Sequence, residues 1–257
     1  MRHFSTFLIE RLKINKDIKI QEYKYFPKDF NELFSIICNK VEEIKKNNGS
    51  ILNLNDIDTS KIEIFINLFT KLNFRYDMDS FIEEIKLDRW DVSNALSFHA
   101  MFNGCEGLKR IDISNWNVSN VNNMTAMFNN CFSLESIGNL SNWNTENLND
   151  AELMFSECKH LKDIGNLDNW YVENLEKMDL MFSGCIKLKN IGDISGWNLI
   201  KIENMIYMFE KCKSLANVGD LNKWQPHIDN LIKREGRGAL NGFSRGAKFK
   251  KPEWDNR

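Results

Sequence analysis

Five cysteines fall in register, at Cys105, Cys131, Cys158, Cys185 and Cys212, and invite two chemistries, a metal centre or a set of disulfides. Metal sites use closely spaced pairs such as C-x-x-C, and the chain has none. If the cysteines sit on neighbouring helices, those axes lie about 8–10 Å apart. A disulfide needs Cα atoms within about 7 Å. The expectation is therefore buried, reduced thiols, with Cys38, beside Ile36 and Ile37, in the same role. Tryptophans at 90, 116, 143, 170, 197 and 224 could stack on sugars, yet their neighbours stand at core offsets, which favours packing.

The remaining chemistry-bearing residues converge on nothing. His3, His99, His160 and His227 occupy unrelated settings, and the carboxylates are scattered. No nucleophile elbow, phosphate-binding glycine loop, H-E-x-x-H or dinucleotide fingerprint occurs. Residues 225–257 carry eight basic against four acidic side chains, with Phe243, Phe249 and Trp254 among them. Such a segment could contact phosphates and bases, but it reads better as a flexible or loosely packed tail. No catalytic, cofactor-binding or metal-binding residue is expected, and no enzyme.

What positions these residues is a repeat. The Trp spacings are 26, 27, 27, 27 and 27 residues, and Met-Phe pairs at 101/102, 127/128, 154/155, 181/182 and 208/209 keep the same register. Leu108, Leu134, Leu161, Leu188 and Leu215 follow, then Ile111, Ile137, Ile164, Ile191 and Val218. Within a unit, Val121, Met124, Met127, Phe128 and Cys131 are three or four apart, the pattern of one helix face. Asn94, Asn120, Asn147 and Asn174 stand where N-caps would. The short run from Leu134 to Leu140 reads as an extended arm, and the extra glycine of later copies, such as Gly138, as a bulge.

One unit cannot bury its own apolar face, so copies must stack. The fold expected is an α/β solenoid, a leucine-rich-repeat-like right-handed coil of 26–27-residue units with a helical N-terminal cap. Residues 1–50 form the N-terminal segment and cap, with Asp29 capping a helix over Pro27 to Lys46. Residues 51–224 form the repeat array: a degenerate copy near 57–89, carrying Ile57, Ile62, Phe65, Leu68, Phe69 and Leu72, then copies from 90, 116, 143, 170 and 197. Residues 225–257 form a C-terminal cap and basic tail. The opening residues Phe4, Phe7, Leu8, Arg11 and Leu12 share helical spacing, as a packed helix or a short docking tag.

The units W-N-V-S-N-V-x-N-M-x-x-M-F-x-x-C-x-x-L resemble those of the BspA-like leucine-rich-repeat family of bacterial and mycoplasmal surface proteins, over roughly residues 55–224. That resemblance implies a solenoid and a role in adhesion or protein interaction, with no catalytic residues to carry over. The opening segment with Y-F-P-K-D-F-N-E-L-F also resembles proteins encoded by phages of gut Bacteroidales.

Composition assigns no activity. The chain has 257 residues, 42% hydrophobic and 27% charged, which is ordinary for a globular protein with a sizeable core. A net charge of -2 supplies no global attraction to nucleic acid or anionic membranes. No run approaches the roughly 20 apolar residues of a membrane span, and Glu10 and Arg11 interrupt the only signal-like opening. A cytoplasmic or virion-associated location is expected over secretion. The candidate partner surface is a polar column on the extended arms: Lys109 and Arg110, Glu135 and Ser136, Lys162 and Asp163, Lys189 and Asn190. It lacks aromatic residues, so a protein partner is expected rather than a sugar.

Overall fold

The computed structural model describes residues 23–256, so the opening segment with Phe4, Phe7, Leu8, Arg11 and Leu12 lies outside the described residues. The first helix, α1 (Phe30–Lys46), begins where Asp29 accepts a hydrogen bond from the Glu32 N–H. Leu33, Ile37 and Val41 are buried beneath it, and Lys40 pairs with Asp56 at 2.9 Å on the first repeat copy. β1 (Ile51–Asn53) precedes the degenerate copy, which contains α2 (Leu68–Tyr76) and β2 (Glu84–Lys86). With β3 (Arg110–Ile111) these form a parallel sheet in the order β1-β2-β3, each strand one copy further along the chain.

The same spacing governs pairing where no named strand forms. Parallel bridges join Ile64 to Ser97, Ser97 to Asn123, Asn123 to Asp150, Asp150 to Lys177 and Lys177 to Asn204. Each copy thus lies beside the next in parallel register, and one buried cluster runs continuously from Leu33 to Trp254.

The segments expected as helices in the copies from 90 onward are not helical. Met124, Ala126, Phe128 and Asn130 donate their backbone N–H groups to Asp150, Glu152, Met154 and Ser156 of the following copy, at 2.8–2.9 Å. The intervening N–H groups of Met127, Asn129 and Cys131 close turns onto Met124, Ala126 and Phe128. This chain of turns needs left-handed residues at regular places, and Ala126, Asn130, Leu153, Glu157, Leu180, Tyr207 and Lys211 all have positive φ. A chain of turns can therefore point Met124, Met127, Phe128 and Cys131 inward at the three-and-four spacing that otherwise marks a helix. Along this chain of turns the N–H groups face the following copy and the carbonyls the preceding one, whereas on the arms the bonds run both ways.

Three ladders bind the copies together. The rings of Phe102, Phe128, Phe155, Phe182 and Phe209 stack face to face with centroids 5.0, 5.9, 5.5 and 5.4 Å apart. Each buried tryptophan donates its indole N–H to a carbonyl of the preceding copy: Trp143 to Ile113 at 3.2 Å, Trp170 to Leu140 at 3.0 Å, Trp197 to Leu167 at 3.0 Å. A buried indole needs such an acceptor, and the ladder supplies it at every step. The asparagines expected as helix caps form the third ladder. Asn94, Asn120, Asn147 and Asn174 donate their side-chain amides to Ser60, Ser93, Ser119 and Glu146 carbonyls one copy back.

The cysteines are free and buried, but not for the reason of helix spacing, because copies approach at sheet-like distances. The thiols of Cys131, Cys158 and Cys185 donate to the Phe102, Phe128 and Phe155 carbonyls at 3.0, 3.1 and 3.0 Å. Burial pushes these thiols well above their ordinary range, and that of Cys212 to about 12. Since the thiolate is the reactive form, a thiol reagent at pH 8 should modify the native chain far more slowly than the denatured one, which should titrate six cysteines. Rapid modification of the native ladder would contradict this packing.

The extra glycine of the later copies has a steric cause. Gly138 has φ +85, and a Cβ there would lie 2.2 Å from Ser114 Oγ and 2.3 Å from Asp112 Oδ1. Gly165, Gly192 and Gly219 repeat both the left-handed backbone and the close approach to the copy before.

The C-terminal segment overturns the expectation of a flexible tail. Pro226 opens α3 (Gln225–Glu235), after which the chain re-enters the stack. Ala239, Asn241, Phe243 and Arg245 accept from the N–H groups of Met205, Tyr207, Phe209 and Lys211, as any following copy would. Phe243, Phe249 and Trp254 are buried, and the Trp254 indole donates to Leu221 at 3.0 Å, extending the Trp ladder by one rung. The array therefore does not close at Trp224. The aromatic rings that a nucleic-acid arm would offer to bases belong to the core.

Candidate protein-interaction surface

The outward column sits between the buried Leu and Ile positions of each arm. Leu108, Ile111, Leu134 and Ile137 all point into the core, which turns the residues between them to solvent. Backbone pairing keeps the column in register. Lys109 and Arg110 donate to the Glu83 carbonyl, Glu135 donates to Lys109 at 2.9 Å, and Lys189 donates to Lys162 at 3.2 Å. Arg110 bridges Ser136, and Asn190 bridges Asn217.

The side chains pair along the stack rather than standing apart. Lys109 meets Glu83 at 2.6 Å, Arg110 meets Glu84 at 3.1 Å, and Lys162 meets Glu135 at 2.6 Å. The hydrogen bond from Lys109, and then its charge, holds the Glu83 carboxyl below the usual carboxylate range; Lys162 does the same to Glu135. Glu83 and Glu84 belong to the degenerate copy and escaped the sequence reading. The available signal was opposite charge one repeat before Lys109 and Arg110.

Two members of the column have a different task. Asp163 and Asn190 accept from the N–H groups of Gly165 and Gly192 at 2.8 and 3.1 Å, holding the turn at each inserted glycine. Lys189 makes no ion pair among the described residues. The structure therefore gathers Lys109, Arg110, Glu135, Lys162 and Lys189 as surface groups, and gives Asp163 and Asn190 to the backbone. Beside the start of the column lies a cavity of about 290 Å³ walled by Glu84, Lys86, Asp88, Arg110, Asp112 and Ser136.

Elsewhere the perturbed groups serve the stack. Burial pushes Asp179 up to about 6, and its Oδ1 accepts the Ile206 N–H of the next copy at 2.8 Å. No group of histidines, cysteines and carboxylates able to hold a metal ion occurs among the described residues. No helix among them is long and apolar enough to cross a membrane.

No curated protein and no solved structure matches the chain. The family described as "Mycoplasma protein of unknown function, DUF285" matches residues 35–165 and 135–233, together well over half of the sequence. The match runs from within α1 through the repeat copies to within α3, and the chain belongs to this family.

Proposed function

We propose that the chain is a non-enzymatic protein-interaction module, a BspA-like leucine-rich-repeat solenoid of α/β class that presents the arm column to a protein partner. The observation that carries this reading is the column itself, exposed and in register over several copies. Its backbone is fixed by the core while its charged ends remain accessible. A rigid row of alternating charges suits recognition by charge complementarity, which sets orientation and on-rate. Adhesion at a surface is one setting for such a module, and a place on a virion, as a phage-encoded member, is another. The proposed location is cytoplasmic or virion-associated.

Reversal of Lys109, Lys162 and Lys189 to Glu together tests the reading. Exposed ion pairs contribute about 0–1 kcal/mol each, so the melting temperature should move by only a few degrees. Capture of partners from a native-host lysate, read by mass spectrometry, should be lost. Capture retained in full would move the contact surface to the turn face or the ends.

A further inference from the structure

The arm face passes from self-neutralised to basic along the stack. In the first copies the cations of the column are matched, Lys109 by Glu83 and Arg110 by Glu84. The turn leading into the arm carries Glu106 in the copy from 90, and Asp79 beside it accepts the Gly107 N–H at 2.8 Å. From the copy at 143 onward the same turn carries lysine instead, at Lys159, Lys187 and Lys213.

Backbone bonds bring these lysines side by side. Lys189 donates to the Lys162 carbonyl at 3.2 Å, and Ala216 to that of Lys189 at 3.4 Å. Lys187 stands two residues before Lys189, and Lys213 holds the matching turn one copy on. The Lys248 N–H donates to the Cys212 carbonyl at 3.2 Å, which seats Lys248 next to Lys213 on the last copy. Lys187, Lys189, Lys213 and Lys248 are all exposed, and none of the four has an ion pair among the described residues. Carboxylates nearby are engaged elsewhere: Glu135 by Lys162, Glu157 by Lys159, Glu210 by Arg245 and Asp163 by the Gly165 N–H. Lys162 dominates at Glu135, yet His160 and Lys187 also hold that carboxyl down, so the field of Lys187 reaches two copies back.

We propose, resting on the column as the partner-binding surface, that its C-terminal half with Lys187, Lys189, Lys213 and Lys248 docks an extended acidic segment of the protein partner. Three steps of the stack at about 4.8 Å span roughly 14 Å, the length of about four extended residues. Ammonium groups on flexible stems reach carboxylates without a fixed geometry, so this half selects charge rather than one particular sequence. The self-paired first half offers an acidic segment no free cation, which sets the end at which it seats. A single-stranded nucleic acid would also want aromatic platforms for its bases, and Phe243, Phe249 and Trp254 at this end are buried. An acidic polypeptide asks only for the lysines.

Fluorescence anisotropy of a labelled hexaglutamate peptide, titrated with the full chain, tests this. Saturable binding is expected at low salt, weakening as the salt rises from about 50 to about 200 mM. Reversal of Lys187, Lys213 and Lys248 to Glu together should weaken it at least about tenfold, and their change to Gln about threefold. Both variants should melt within about 2 °C of the parent, because exposed side chains without ion pairs are being changed; the Gln variant decides if the Glu variant fails to fold. No saturable binding, equal binding of hexalysine, or binding unchanged in the variants would each overturn the proposal. Tighter binding of a short oligothymidine than of hexaglutamate would overturn it in favour of nucleic acid. Lysate capture lost on reversal of Lys109, Lys162 and Lys189 but kept on reversal of Lys187, Lys213 and Lys248 would leave the column standing and overturn the acidic docking alone.

Discussion

Trp170→Ala should lower unfolding stability by about 3–5 kcal/mol, the cost of deleting a large buried aromatic side chain. Trp170 is 3% exposed, stacks on Trp143 at 6.1 Å and donates to the Leu140 carbonyl. Truncation therefore opens a cavity and also removes the indole bond to that carbonyl, which keeps the Trp143 backbone N–H. Domains are held by only about 5–15 kcal/mol in all, so one rung is a large share. Trp170→Phe separates the two contributions: it keeps most of the ring and loses the indole N–H, and should cost about 1–2 kcal/mol. Denaturant midpoints measure both. An unmoved midpoint in the alanine variant would mean an exposed ring, free to stack on a sugar.

Removal of residues 237–257 should be more damaging still. The deletion strips Phe243, Phe249 and Trp254 from the end of the core and uncovers Phe209 and Trp224, against which they pack. Three buried aromatic side chains at about 3 kcal/mol or more each approach the whole stability of a domain. Stacked repeats also need a terminal copy that shields the last apolar face. The truncated chain should lose its cooperative thermal transition and aggregate. A truncated chain that melts cooperatively near the full-length midpoint would restore the picture of a loose tail.

Inward residues were legible because a ladder repeats a residue type wherever the surroundings repeat. Trp143, Phe155, Cys158, Leu161 and Ile164 are each buried at the place their spacing indicated. The conformation that carries them was not legible. A three-and-four spacing fits a helix and a chain of turns alike, and the residues that decide between them, Ala126, Leu153, Leu180 and Tyr207, take positive φ without being glycine. Tertiary stacking imposes that backbone, and side-chain type gives no warning of it. The last copy was hidden because α3 is inserted within it, displacing Phe243 from the 27-residue register. On the surface column, charge and exposure followed from alternation along the arm. The roles of Asp163 and Asn190 depended on the left-handed glycines two residues on, a contact that spacing alone does not reveal.

The parallel stacking of successive copies is tested most directly by ring-to-ring nuclear Overhauser effects in a chain labelled at phenylalanine. Phe102, Phe128, Phe155, Phe182 and Phe209 should each show contacts to the ring one copy before and one copy after, in that order along the chain. An absence of contacts between these rings, or contacts that skip a copy, would contradict it.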